Sequence, residues 1–308
     1  MRPAVPLARW PKDDPALPRA RGRRHPRAIA WYGFTAFWGH LRHLVASAIA
    51  TENIDSRQWM IPESPDVLLG RVVEVLARRG AARGASTLAE ALGGEVWIDF
   101  VADTGDDVSV SEVVAGLLSD TYEVEDPDDP SGKLVLPRGD ILFLGGDLAY
   151  PVATVREITR RLVDPWNRVF EQRLDGAPRV LLGVPGNHDW YDGLDGFARL
   201  CQAPCAFEDR APTSDPLHPQ PDEHPVLAWA EAFGRGDAVR KPSALALAGY
   251  EPVQRASYFR LPLAPGIDLF AVDRQLKRVD PRQLSYFRVA GAPARLVVVP
   301  DPARAWGE

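Results

Sequence analysis

Val180–Gly193 reads VLLGVPGNHDWYDG, and the way this stretch divides decides the fold. Val180 to Val184 is an unbroken apolar run, too short for an ordinary helix and stopped by Pro-Gly. It reads as a strand buried on both faces. Asn187, His188 and Asp189 then stand at the carboxyl end of that strand, and a helical pattern follows near Leu194–Cys201. The same unit occurs twice upstream. Val96–Val101 (VWIDFV) leads into ADTGDD and a helix near Ser109–Ser119. Ile141–Leu144 (ILFL) leads into GGDLAYP and a helix from about Ala153 to Phe170. Continuous apolar strands alternating with helices predict an α/β domain with a parallel sheet covered on both faces. Ligands of such sheets sit at the carboxyl ends of the strands, so the three polar clusters are expected to build one site.

The rest of the chain is arranged around these units. Residues 1–27 form a basic, Pro/Arg-rich arm, expected to be disordered. Residues 28–94 read as a helical extension, with helices at Trp31–Ala50 and Val67–Arg79 and a linker from Gly80 to Gly94. Residues 95–308 make the main domain. Within it, residues 202–250 are a Pro-, His- and Asp-rich excursion with a short helix at Val226–Phe233. Strand patterns return at Ser257–Leu261, Ile267–Val272 and Arg295–Val299.

Composition sets limits on function. Hydrophobic residues make up 45% of the 308 and charged residues 25%, an ordinary globular balance. The net charge of −6 gives no sign of a nucleic-acid surface. Glu123–Asp129 (EVEDPDD) reads as a solvated acidic loop. The two cysteines, Cys201 and Cys205, make no zinc site without a second pair and read as reduced thiols in a cytoplasmic protein. The basic Arg19–Arg27, the apolar Ala28–Gly39 and Ala46-Ser47-Ala48 together allow a signal peptide as the alternative, although His40, Arg42 and His43 interrupt the apolar run. No other segment has the apolar length for a membrane span. No phosphate-cradling glycine loop of nucleotide-binding type follows a strand. Oligomeric state is left open by the sequence.

The three clusters supply a coherent set of donors. Asp103 and Asp147 are hard anionic oxygens, Asn187 is a neutral oxygen donor, and His188 is a nitrogen base. A carboxylate bridging two cations holds them at a spacing suited to in-line attack on phosphorus. Taken singly, Asp103 reads equally as the N-cap of the following helix, and Asp189 as a structural cap.

The ordered trio ADTG, GGDLAY and GNHD resembles the first three motifs of the calcineurin-like metallophosphoesterase superfamily, over about residues 95–300. Most of that superfamily has D-x-H in the first motif, whereas Gly105 stands in the histidine's place here. The purple-acid-phosphatase-like branch also has glycine there and places a tyrosine in the second motif, matched by Tyr150. The resemblance implies a four-layer α/β/β/α sandwich and two divalent or mixed-valence metal ions (iron, manganese or zinc). It implies Asp103 and Tyr150 on the first metal, Asp147 bridging, and Asn187 on the second. His188 would stabilise the transition state or protonate the leaving alcohol, with Asp189 orienting it. The implied substrate is a phosphate-ester small molecule or nucleotide.

The pattern also breaks. The superfamily's later histidine ligands have no counterpart at a strand end. Only His218 and His224 follow His188, both in the polar excursion. Asp301, in the PDP after Arg295–Val299, is either a substitute ligand or a turn residue. Two readings therefore stand, a working dinuclear phosphoesterase and a truncated or non-catalytic relative that binds a metal or partner without turnover.

Overall fold

The computed structural model describes residues 61–126, 129, 132–203, 245–274, 281–288 and 294–298. The basic arm, the Trp31–Ala50 helix, the signal-like segment, Cys205, His218, His224, the Val226–Phe233 helix and Asp301 lie outside the described residues. Within them no helix is long and apolar enough to cross a membrane.

The chain is α/β. Helix α1 (Pro65–Leu76) and the short α2 (Leu88–Leu92) precede strand β1 (Ile98–Val101). Helix α3 (Val108–Leu118) leads to a hairpin of β2 (Tyr122–Glu125) and β3 (Lys133–Leu136). Strand β4 (Ile141–Leu144) is followed by helical segments α4 (Val155–Ile158) and α5 (Asp164–Phe170), joined through a wider π-type turn at Thr159–Val163. After β5 (Arg179–Gly183) come the single turn α6 (Asn187–Trp190) and α7 (Asp195–Cys201). Strand β6 (Tyr250–Pro252) completes a four-stranded sheet in the order β1-β4-β5-β6, every pair parallel. Its register sets Val101 beside Leu144 and Leu144 beside Gly183. Three strands thus end level, and the three loops that follow must lie side by side.

Both faces of the central strands β4 and β5 are dry, which explains why those two read as unbroken apolar runs. Leu142, Leu144 and Leu181 pack with Trp166, Phe170, Phe197 and Leu200 from α5 and α7. Ile141, Phe143, Val180 and Leu182 point the other way, into a second core with Leu69, Val72 and Leu76 of α1. Full burial of each such side chain contributes about 1.5–3 kcal/mol. That second core also takes Phe259, Leu261 and Leu269 from a three-stranded sheet, β7 (Phe259–Ala264), β8 (Ile267–Ala271) and β9 (Ala294–Val298). Strand β8 runs antiparallel to β7 and parallel to β9. Helix α8 (Pro281–Arg288) sets the Phe287 ring 5.2 Å from that of Phe270 and the Tyr286 ring 5.7 Å from that of Tyr258.

Several expectations need correction. Gly80–Gly94 is not all linker, because Thr87 accepts the backbone N–H of Glu90 and starts α2. The Thr-x-x-Glu spacing is a helix-start signal that carried this information. Helices α1 and α2, the described part of the stretch before Glu95, share one core with β4, β5, β7 and β8. The acidic Glu123–Asp129 stretch is partly strand, since Glu123 pairs with Val135 and Glu125 with Lys133. Both faces of this strand are largely exposed, so burial gives it no apolar run. Strand β6, which begins at the last residue of the region read as an excursion, is only three residues long and contains Pro252, which hides a strand from any propensity argument.

Candidate functional site

The first two aspartates sit on strained backbone. Asp103 has φ 56° and Asp147 φ 52°, both in the left-handed region where a non-glycine residue is uncommon. Asp103 follows β1 and Asp147 follows β4, so neighbouring parallel strands turn sharply at matching heights. The Asp103 N–H donates to the Gly146 carbonyl at 3.2 Å, and the Gly145 N–H donates to Val101 at 2.7 Å, which stitches the two turns together. Asp103 is not the cap of α3. That place belongs to Asp107, whose carboxylate accepts the Ser109 N–H at 2.8 Å.

The third loop joins by close backbone approach. Gly146 has φ 97°, and a Cβ there would lie 2.3 Å from the Gly186 nitrogen. The carboxylate of Asp189, wholly buried, accepts N–H groups from Gly186 and Asp147 at 2.8 Å and from Leu148 at 3.2 Å. One side chain therefore pins the GNHD turn to the GGDLAY turn. Burial, and then the negative charge of Asp147, push its carboxyl up to about 7, against the pull of these backbone donors.

At the centre, Tyr150 donates its hydroxyl to Asp103 Oδ1, with Asp147 Oδ2 3.3 Å away. Asp147 Oδ1 accepts the His188 backbone N–H at 2.9 Å. Burial raises the Asp147 carboxyl above the usual range, and the charge of Asp103 adds to it. Burial also drives the Tyr150 phenol well above its ordinary value, with the hydrogen bond to Asp103 next in weight. The Tyr150 and His188 rings meet edge-on with centroids 4.4 Å apart. His188 Nδ1 lies 2.7 Å from the Pro151 carbonyl, which accepts its proton and leaves the lone pair on Nε2. The imidazole is thus aimed by Pro151. Of the two readings of Asp189, orienting this imidazole or capping the turn, the contacts are those of a cap and staple, because its oxygens accept backbone donors. Asn187 is exposed at the start of α6, and its amide nitrogen donates to the Tyr191 hydroxyl at 3.2 Å.

Direct contact therefore unites Asp103, Asp147 and Tyr150. His188 joins through its backbone and its ring, and Asn187 borders the group on the same turn as His188. Among the described residues no three His, Cys, Asp or Glu side chains are placed together to hold a metal. The central cluster is two carboxylates and a phenol.

Two supports escaped the sequence reading. Gln254, fully buried, accepts the Gly183 N–H at 2.7 Å and donates to the Gly183 carbonyl at 2.9 Å, which fixes the end of β5. Asp273, also fully buried, accepts from Trp190 Nε1 at 2.9 Å and Ser257 Oγ at 2.5 Å, while Gln283 brackets its backbone. It ties the last residue of α6 to the second sheet. The signal was present, an aspartate just after the apolar run Ile267–Val272. Asp273→Ala orphans the indole N–H in a dry site and is expected to cost about 2–3 kcal/mol in urea denaturation. A loss under about 0.5 kcal/mol, the level of an ordinary surface change, would contradict this account.

Comparison with models of protein families, with curated proteins and with solved structures finds no match for this chain.

Proposed function

We propose that the chain is a metal-dependent phosphoesterase of the calcineurin-like type, hydrolysing a phosphomonoester or phosphodiester. The observation that carries this reading is the pair of left-handed aspartates on adjacent parallel strands, drawn together by the Tyr150 hydroxyl. Nothing in the packing of the sheet requires an exposed carboxylate and a half-buried one to be held beside each other. The packing is in keeping with that reading, since the parallel sheet shares a core with the three-stranded sheet and α1, and α8 packs against the three-stranded sheet.

The residues fit a hard cation. Asp103, Asp147 and Tyr150 offer convergent oxygen donors. Partial burial and then the repulsion of its neighbouring carboxylate raise the Asp147 carboxyl, and that repulsion is what a bound cation would relieve. Asp103, Tyr150 and Asp147 would hold one ion, and Asp147 with Asn187 a second. Iron, manganese and zinc all suit these donors. When bound, such ions lower the pKa of water and neutralise phosphoryl charge. The chain's own contribution is to hold Asp147 between two turns, so that one oxygen faces Tyr150 and the other faces the His188 N–H. His188, its Nδ1–H anchored on Pro151, presents Nε2, which when protonated can donate to a leaving alkoxide.

A second reading is favoured by the absence, among the described residues, of a third carboxylate, thiolate or imidazole in the cluster. On that reading the chain binds a cation or partner without turnover. The discriminating measurement is metal content with hydrolysis of an aryl phosphate and a bis-aryl phosphate in added manganese, iron or zinc. Turnover is expected, falling to background in Asp147→Asn and by roughly 10²–10⁴-fold in His188→Ala, the range for losing a general acid. Bound metal with no turnover above the two variants would establish the second reading.

A further inference from the structure

Asn187 is an ambiguous ligand as it stands in the chain. Its amide has an oxygen end and a nitrogen end of nearly the same shape, and rotation about the last torsion exchanges them. Only the oxygen can bind a cation. The side chain is exposed, so no packed wall selects one orientation.

We infer that Tyr191 sets the direction of the Asn187 amide and so makes it a competent oxygen donor, an inference that rests on Asn187 being a metal ligand. Tyr191 lies one helical turn after Asn187, where residues four apart share a face. Its backbone N–H closes that turn on the Asn187 carbonyl at 3.2 Å. Its hydroxyl oxygen accepts the Asn187 amide nitrogen at 3.2 Å. With the nitrogen end held there, the oxygen end is turned to the opposite side of the planar amide. The Tyr191 ring also meets the His188 ring at 5.1 Å and 74°. One tyrosine therefore touches both members of the Asn-His pair, through its hydroxyl on one and its ring on the other.

Tyr191 is a positioning residue, and its two contacts separate by substitution. Tyr191→Phe keeps the ring against His188 and removes only the anchor of the amide. An exposed hydrogen bond contributes little to folding, so the melting temperature is expected to stay within about 2 °C of wild type. Metal affinity should fall, because outer-shell partners that orient ligands are worth about 10–100-fold in binding. The low end, about tenfold, is expected for an exposed pair.

The experiment is calorimetric titration of the full chain with manganese(II) alone, in wild type, Tyr191→Phe, Asn187→Ala and the double variant. The expected result is weaker binding in both single variants and a double variant equal to Asn187→Ala, since Tyr191 acts through the amide. If Asn187→Ala weakens binding while Tyr191→Phe binds as wild type does, the inference fails and the proposed ligand set survives. If the Phe change weakens binding equally in the Asn187→Ala background, Tyr191 acts by another route and the inference is overturned. If Asn187→Ala leaves binding unchanged, the assignment of Asn187 falls, and the role of Tyr191 falls with it.

Discussion

Asp189→Ala is expected to lower folding stability by about 3–5 kcal/mol, the range seen when one partner of a buried charged interaction is removed. The carboxylate is wholly buried and accepts three backbone N–H groups, from Asp147, Leu148 and Gly186. Alanine leaves those donors facing an apolar gap, and each orphaned donor costs about 1–3 kcal/mol. Relief of burying a charge returns part of this, which keeps the total below the sum. In a domain of this size each kcal/mol moves the melting midpoint by about 2–4 °C, so a fall on the order of 10 °C is the readout. Asp189→Asn separates shape from charge. Its oxygen can replace Oδ2, which serves two donors, while its NH2 faces the Leu148 N–H and repels it. The asparagine variant should therefore fall between wild type and alanine. If both variants melt with wild type, the GNHD and GGDLAY turns are held by something other than this side chain. A solvent-exposed catalytic role for Asp189 predicts the reverse pattern, unchanged melting and lost activity.

This residue also shows what could be read from the sequence and what could not. The parallel sheet was legible because β4 and β5 are buried on both faces, and double burial leaves an unbroken apolar run. The loops bearing Asp103, Asp147 and Asn187 were legible because each run stops at small residues and a polar cluster. Asp189 could not be assigned, because GNHD contains a cap and a base in adjacent positions and spacing does not say which backbone groups turn inward. Asp273, Gln254 and Tyr191 were not given their roles for a related reason. Their roles depend on contacts with Trp190, Gly183 and Asn187, and two of these three pairs are far apart in sequence. Tyr191 is the exception, four residues from its partner, and an i,i+4 pairing on a short turn could have been anticipated. Strands β2 and β3 escaped because they form a short, largely exposed hairpin with no buried face to mark them, and β6 because it has three residues, one of them proline.

Gly105→His is expected to disable the site, although histidine is the residue most of the resembled superfamily places there. A Cβ at position 105 would fall 2.3 Å from both the Ala149 Cα and the Leu148 carbonyl oxygen, and 2.8 Å from the Ala149 nitrogen. All three are backbone atoms, so no rotamer change can make room. The GGDLAY turn would have to withdraw. That same turn carries Tyr150, whose hydroxyl donates to Asp103 from the residue next to the Leu148–Ala149 backbone that lies against Gly105. Glycine in the first motif and tyrosine in the second are thus one arrangement. The space a histidine would need is the space the closed turn occupies. Gly105→Ala, with the same Cβ and no ring, should already cost about 1–3 kcal/mol, the usual penalty for overpacking, and Gly105→His at least as much. The decisive comparison is manganese affinity in Tyr150→Phe with and without Gly105→His. Were the two motif forms interchangeable in this chain, the added imidazole would restore what the lost phenol supplied. The close approach at Gly105 predicts no restoration and a further fall in melting temperature. Recovery of affinity in the double variant would show that the turn can open at little cost, and that Tyr150 is held at Asp103 by its own hydrogen bond and not by the backbone behind it.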